Sequence, residues 1–139
     1  MAFAGLNWTA ILIAAAAGFI FGGVWYGVLG RQWMAAAGIS EEDVKGDGSL
    51  GAKLPYLYAI IANLVIAFTM AGLMAHMVVD LRHGLITAGF IWGGFILPTL
   101  LVNYGFQMRP LRLTLIDAGH WLGVLLVISA IIGVMGVTG

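Results

Sequence analysis

The stretch Gly18-Phe19-Ile20-Phe21-Gly22-Gly23, with Trp25-Tyr26 just after it, decides how this chain folds. A near copy returns as Gly89-Phe90-Ile91-Trp92-Gly93-Gly94. Both copies sit inside long apolar runs, and both place glycines four apart, at Gly18/Gly22 and Gly89/Gly93. In water, a glycine inside a helix costs ~1 kcal/mol relative to alanine. In a bilayer the same spacing clears a flat stripe along which a neighbouring helix backbone can come close. The two stretches therefore read as helix-packing seams of a small membrane bundle. Gly119/Gly123 repeats the spacing further on.

Composition agrees with a hydrocarbon surround. Of 139 residues, 62% are hydrophobic and only 9% are charged, against about 25% in an average soluble domain. Six basic and six acidic residues cancel, so no basic face is available for nucleic acid. There is no cysteine, which removes disulfides, thiolate metal sites, iron–sulfur clusters, covalent haem and cysteine nucleophiles together.

A membrane span needs about 20 apolar residues to cross ~30 Å of hydrocarbon. Four runs meet this requirement, at 8–29, 55–79, 85–104 and 111–137, with a polar loop at 30–54. They make residues 1–139 one transmembrane domain. No Lys or Arg precedes the first run, and it is too long for the apolar part of a signal peptide, so it reads as a retained span. Trp8 and Trp25-Tyr26 stand near its ends, where amphipathic rings prefer to sit. Pro55 and Pro110 are placed as helix starts. Pro98 falls inside the third run. Its missing N–H and its ring disturb the carbonyl of Gly94, which predicts a kink between Gly93 and Pro98.

In the polar loop, Trp33 to Ala37 reads as a short interfacial helix. Ser40-Glu41-Glu42-Asp43 has the Ser-x-x-Asp spacing of a capped helical turn. The acids Glu41, Glu42, Asp43 and Asp47 lack the spacing of a calcium loop. The few residues between the second and third runs predict antiparallel neighbours. The expected fold is an all-α integral membrane protein, a bundle of four transmembrane helices. The repeated Gly-Phe-Ile-aromatic-Gly-Gly suggests two related helix hairpins.

Polar residues inside spans carry whatever chemistry the chain has. Asp117 and His120 are three apart and share a face of the fourth helix. At 1.5 Å of rise per residue, Asp117 lies ~10 Å in from Pro110, and Asn63 lies ~12 Å in from Pro55 at the same surface. Asn103 and Tyr26 approach that surface too. These five residues form a candidate polar cluster, either a proton or small-solute site or a set of interfacial polar contacts with Arg112 paired to Asp117. A second set, His76, Asp80 and His83, would offer two imidazoles and a carboxylate to a metal on an unbroken helix. The turn expected before Gly84 separates them. Gly72, four before His76, leaves room for a flat macrocycle beside a single axial histidine. No cofactor is expected, and single-His ligation of a pigment or haem is the alternative. No Ser-His-Asp set, paired glutamates or phosphate loop is present.

The opening Asn7-Trp8, then Gly22, Trp25-Tyr26, Gly30 and Trp33, resembles a family of small bacterial four-span proteins catalogued as domain of unknown function 1761. The resemblance covers nearly the whole chain and is most specific in the first span and the start of the first loop. It implies four helices and an integral location in the bacterial inner (cytoplasmic) membrane, and it supplies no activity. Arg31, Lys45, Lys53, Arg109 and Arg112 follow spans one and three, while only Arg82 lies opposite. The positive-inside rule then places both termini outside. The function expected from the residues is non-enzymatic: a self-assembling or accessory subunit, homo-oligomeric or part of a larger membrane complex, packed through its glycine faces. The alternative is a small-solute or proton-coupled carrier working through Asp117 and His120.

Overall fold

The computed structural model describes residues 3–139. Its helices are α1 (Trp8–Ala37), α2 (Glu41–Lys45), α3 (Leu50–Met77), α4 (Leu81–Phe106) and α5 (Leu111–Met135). Apart from α2, each is long and apolar enough to cross a membrane. Large apolar side chains such as Ile20, Val28, Phe90, Phe95 and Leu115 stand exposed around the bundle. On a water-soluble monomer so much exposed apolar surface would be a liability; here it is the surface offered to lipid. The fold is an all-α membrane bundle of four spanning helices.

Several helix ends differ from the sequence reading. Helix α1 does not stop near Leu29 but runs to Ala37, so Trp33 to Ala37 are its last turns and not a separate interfacial helix. Gly38, at φ 71°, ends it in the left-handed conformation, which glycine adopts at little cost. Ser40 and Asp43 form the reciprocal cap that their spacing predicted, at 3.1 and 3.0 Å. Helix α3 begins at Leu50, ahead of Pro55, because Ser49 caps it by accepting from the amide of Ala52. Pro55 then sits in the second turn, where the one bond it forfeits belongs to the carbonyl of Gly51, still near water.

Pro98 leaves a more specific mark than a kink. Residues Trp92–Ile96 form a π-helical turn within α4, with the amide of Leu97 donating to the carbonyl of Trp92. A wider turn relieves the clash of the proline ring with the preceding turn, and it inserts one extra residue into the helix.

Helix α5 is the axis of the bundle. It packs against α1 and α4 on its two sides and touches α3 as well. Of its most apolar window 39% is buried, against 6% for α4, which is peripheral. Helices α3 and α4, expected as neighbours, meet mainly at their shared turn, where Met74 lies against Gly84. A short link fixes only where two helices begin. Helix α5 offers α1 and α4 a surface of small residues, with Gly133 against Leu81 of α4 and Gly119 against Trp25 of α1.

Residues 5–7 and 137–139 meet at one end of the bundle. The amide of Asn7 donates to the Val137 carbonyl at 2.9 Å. The side chain of Asn7 accepts from Ala10 to cap α1 and donates to the carbonyls of Met135 and Gly136 at the end of α5. The packed core lies in that half, around Ile11, Met70, Met74, Val124, Ile128 and Ile132. The opposite half, towards α2, is hollow.

Candidate functional site

The hollow is a half-open cavity of about 1010 Å³ between α1 and α3. Its origin is a stripe on α1. Phe19, Gly23, Gly27, Gly30 and Met34 follow the helical spacing of three and four and all line it. At Gly23, Gly27 and Gly30 an added Cβ would meet nothing within 4 Å. The glycines there create space and are not covered by a neighbouring backbone. Arg31, Glu41 and Lys45 stand at the mouth, and Asp117, His120 and Asn63 lie at the floor.

Asp117 is 7% exposed. Tyr26 donates its hydroxyl to Oδ1 at 2.6 Å, and Tyr104 donates to Oδ2 at 2.5 Å. Among the described residues no Lys or Arg comes within 4 Å of this carboxylate. The pairing with Arg112 is therefore not made, and Arg112 is exposed. A carboxylate can accept about four hydrogen bonds, so two phenols leave it capacity for a further donor.

His120, three residues on, is 8% exposed. Its ring lies 4.9 Å from that of Tyr26 and 4.6 Å, edge-on, from that of Trp121. Gly22 makes room for it, since a Cβ there would stand 2.9 Å from Nε2. Asp117 and His120 line one cavity, yet no hydrogen bond joins them, and Nδ1 of His120 has no partner. Asn63, 3% exposed, donates to the Ala59 carbonyl at 2.8 Å and leaves its Oδ1 without a donor beside Gly18. Buried polar atoms without partners are uncommon in folded proteins; these two, like Oγ of Ser129, are packed inside the bundle and not open to the cavity.

Of the five residues expected to cluster, Tyr26, Asn63, Asp117 and His120 come together. Asn103 does not; it is exposed, and Tyr104 takes its place. The π turn explains the exchange. Trp92 faces α5, donating its indole N–H to the Ala118 carbonyl at 2.7 Å. Three turns of an ideal α-helix take about 11 residues, which would bring Asn103 onto the same face. The extra residue of the π turn brings Tyr104 there instead. From the other side Trp25 donates to the carbonyl of Ile116 at 3.0 Å. Two indoles thus grip the α5 backbone on either side of Asp117. Tyr104 and both indoles were missed in the sequence; the tandem Asn103-Tyr104 after an internal proline was the available signal.

The six seam glycines divide. Gly18, Gly22, Gly119 and Gly123 are covered within the chain by Asn63, His120, Trp25 and Phe21, respectively. These are side chains, mostly rings, and not the close backbone expected. Gly89 and Gly93 meet nothing within 4 Å and line a shallow groove with Ile86 and Phe90. His76 is exposed near the end of α3, while Asp80 caps α4 and lies 2.7 Å from Nδ1 of His83. The His83 amide, and after it the ring, hold the Asp80 carboxyl below the ordinary aspartate range. Among the described residues no three of His, Cys, Asp and Glu gather as a metal would need. The space beside Gly72 is filled by the ring of Phe3.

No curated protein and no solved structure matches the chain. A family model does match, over residues 9–133, a range that holds every residue of the floor. The chain belongs to the family described as protein of unknown function (DUF1761).

Proposed function

We propose that this protein is a non-catalytic membrane protein that binds a small amphipathic organic molecule in the cavity between α1 and α3. One observation carries the reading. Asp117, 7% exposed, lies at the floor of a cleft of about 1010 Å³, accepts from two phenols and, among the described residues, has no Lys or Arg within 4 Å. A ligand that donated to this carboxylate would use the hydrogen-bonding capacity that the two phenols leave open. The volume suits a drug-sized molecule, and the walls are largely apolar and aromatic. In the bacterial inner membrane, with Arg31, Lys45, Lys53, Arg109 and Arg112 on the cytoplasmic side by the positive-inside rule, the mouth faces the cytoplasm and both termini lie outside. A carrier role, proton-coupled or not, would add movement of the bound molecule through the same floor.

Native mass spectrometry of protein extracted in mild detergent tests the reading. The expected result is a small-molecule adduct on the unaltered protein and its loss in Gly27→Leu, whose new side chain enters open space. An adduct that survives Gly27→Leu, or none on either protein, would contradict it.

Self-assembly is the second reading, and the face of Gly89 and Gly93 favours it. These are the seam glycines that no side chain covers among the described residues. A Gly89→Leu/Gly93→Leu protein that keeps its fold should lose its oligomeric mass in detergent; an unchanged mass would remove that face from consideration.

A further inference from the structure

Resting on the cavity reading, we infer that the ligand is a lipophilic organic cation, an amine or onium group that meets Asp117 at the floor. The carboxylate is the first reason. It is buried within the bilayer-spanning part of the bundle, it accepts from two phenols, and among the described residues no cationic side chain lies within 4 Å of it. A charge in hydrocarbon is expensive unless it is paired. Two neutral donors satisfy part of its hydrogen-bonding capacity and supply no positive charge.

The walls are the second reason. Phe19, Tyr26, Trp33, Tyr56, Tyr58 and Trp121 line the cavity. Three of them join His120 in a row of contacts: Trp33 lies 5.8 Å, edge-on, from Tyr26, which lies 4.9 Å from His120, which lies 4.6 Å from Trp121. A cation gains from aromatic rings that can turn a face to it, and an anion does not. The opposing charges are at the mouth. Arg31 lies one and a half turns beyond Tyr26, ~7.5 Å along the axis. Lys45 is exposed and sits 3.7 Å from Glu41. Water screens both, and neither reaches the floor.

The test uses two ions of the same shape and opposite charge, tetraphenylphosphonium and tetraphenylborate. Each is measured by equilibrium dialysis against the full-length protein in lipid nanodiscs, with empty nanodiscs as the blank. The phosphonium is expected to bind at least about tenfold more tightly than the borate, and Asp117→Asn to remove that preference. Gly27→Leu is expected to abolish binding. Equal binding of both ions, blocked by Gly27→Leu, would overturn the cation inference and leave the cavity reading intact. No binding of the phosphonium above the blank would also overturn it, the native mass result still deciding the cavity. Comparing the two ions on the unaltered protein needs no variant, so the preference is decided even where Asp117→Asn fails to fold.

Discussion

Tyr26 and Asp117 tie the first membrane helix to the last, the phenol donating to Oδ1 across 2.6 Å. Tyr104 closes on the other oxygen from α4. One buried carboxylate therefore holds three of the four spanning helices. Removing either hydroxyl, as Tyr26→Phe or Tyr104→Phe, is expected to cost about 1–2 kcal/mol, the lower end reflecting how weak interhelical hydrogen bonds are in membranes. Each single variant leaves Asp117 one phenol. The double variant leaves it none, so its loss should exceed the sum of the two. Thermal unfolding of the four proteins in one detergent measures this; strict additivity would mean that the phenols act independently.

The π turn at Trp92–Ile96 brings Tyr104 to Asp117, and Pro98 is its cause. With Pro98→Ala the helix is expected to return to α geometry and turn Asn103 towards α5. Tyr104→Phe should then cost about 1–2 kcal/mol in the unaltered background and close to nothing in the Pro98→Ala background. Equal costs in both would show that the proline does not set the phase of the helix.

The covered and uncovered glycines should respond oppositely. A Cβ at Gly22 would press on His120 Nε2 at 2.9 Å, so Gly22→Ala is expected to destabilise by about 1–3 kcal/mol. A Cβ at Gly89 meets nothing, and Gly89→Ala should leave stability unchanged or raise it by up to ~1 kcal/mol. Melting temperatures of the two variants check this, and a Gly22→Ala protein as stable as its parent would contradict the packing described.

Asp80 gives the start of α4 a pH dependence of known sign. Its folded-state pKa is lowered, chiefly by the His83 amide and then by the His83 ring. The cap therefore stabilises above the unfolded value, and its contribution disappears as pH falls through the lower folded value. Amide exchange at His83, corrected for intrinsic rates, should gain protection loss below pH ~4 in the parent. Asp80→Asn should flatten that dependence; an identical profile would assign the change to another group.

Much of this was legible in the sequence because membranes impose simple constraints. Four apolar runs near the length of a bilayer mark the spans, and the rise per residue placed Asp117 and Asn63 at similar depths, with Tyr26 and Asn103 approaching the same surface. What the sequence hid was rotation. Helix α4 is apolar on nearly every side, so nothing in its pattern says which face meets α5, and one extra residue in a π turn exchanges Asn103 for Tyr104. The cavity was hidden for a related reason. A glycine stripe looks the same whether a neighbour fills it, as His120 fills Gly22, or nothing does, as at Gly27.

The central claim is that the glycine stripe of α1 borders an open space reached from the mouth, and not a closed seam. The chain has no cysteine, so Gly27→Cys and Gly89→Cys each carry a single thiol. A thiol reacts as its thiolate, which needs water. A charged, membrane-impermeant thiosulfonate added on the side bearing Arg31 should label Gly27→Cys and spare Gly89→Cys, whose site faces lipid. A Gly27→Cys protein as unreactive as Gly89→Cys would contradict the account.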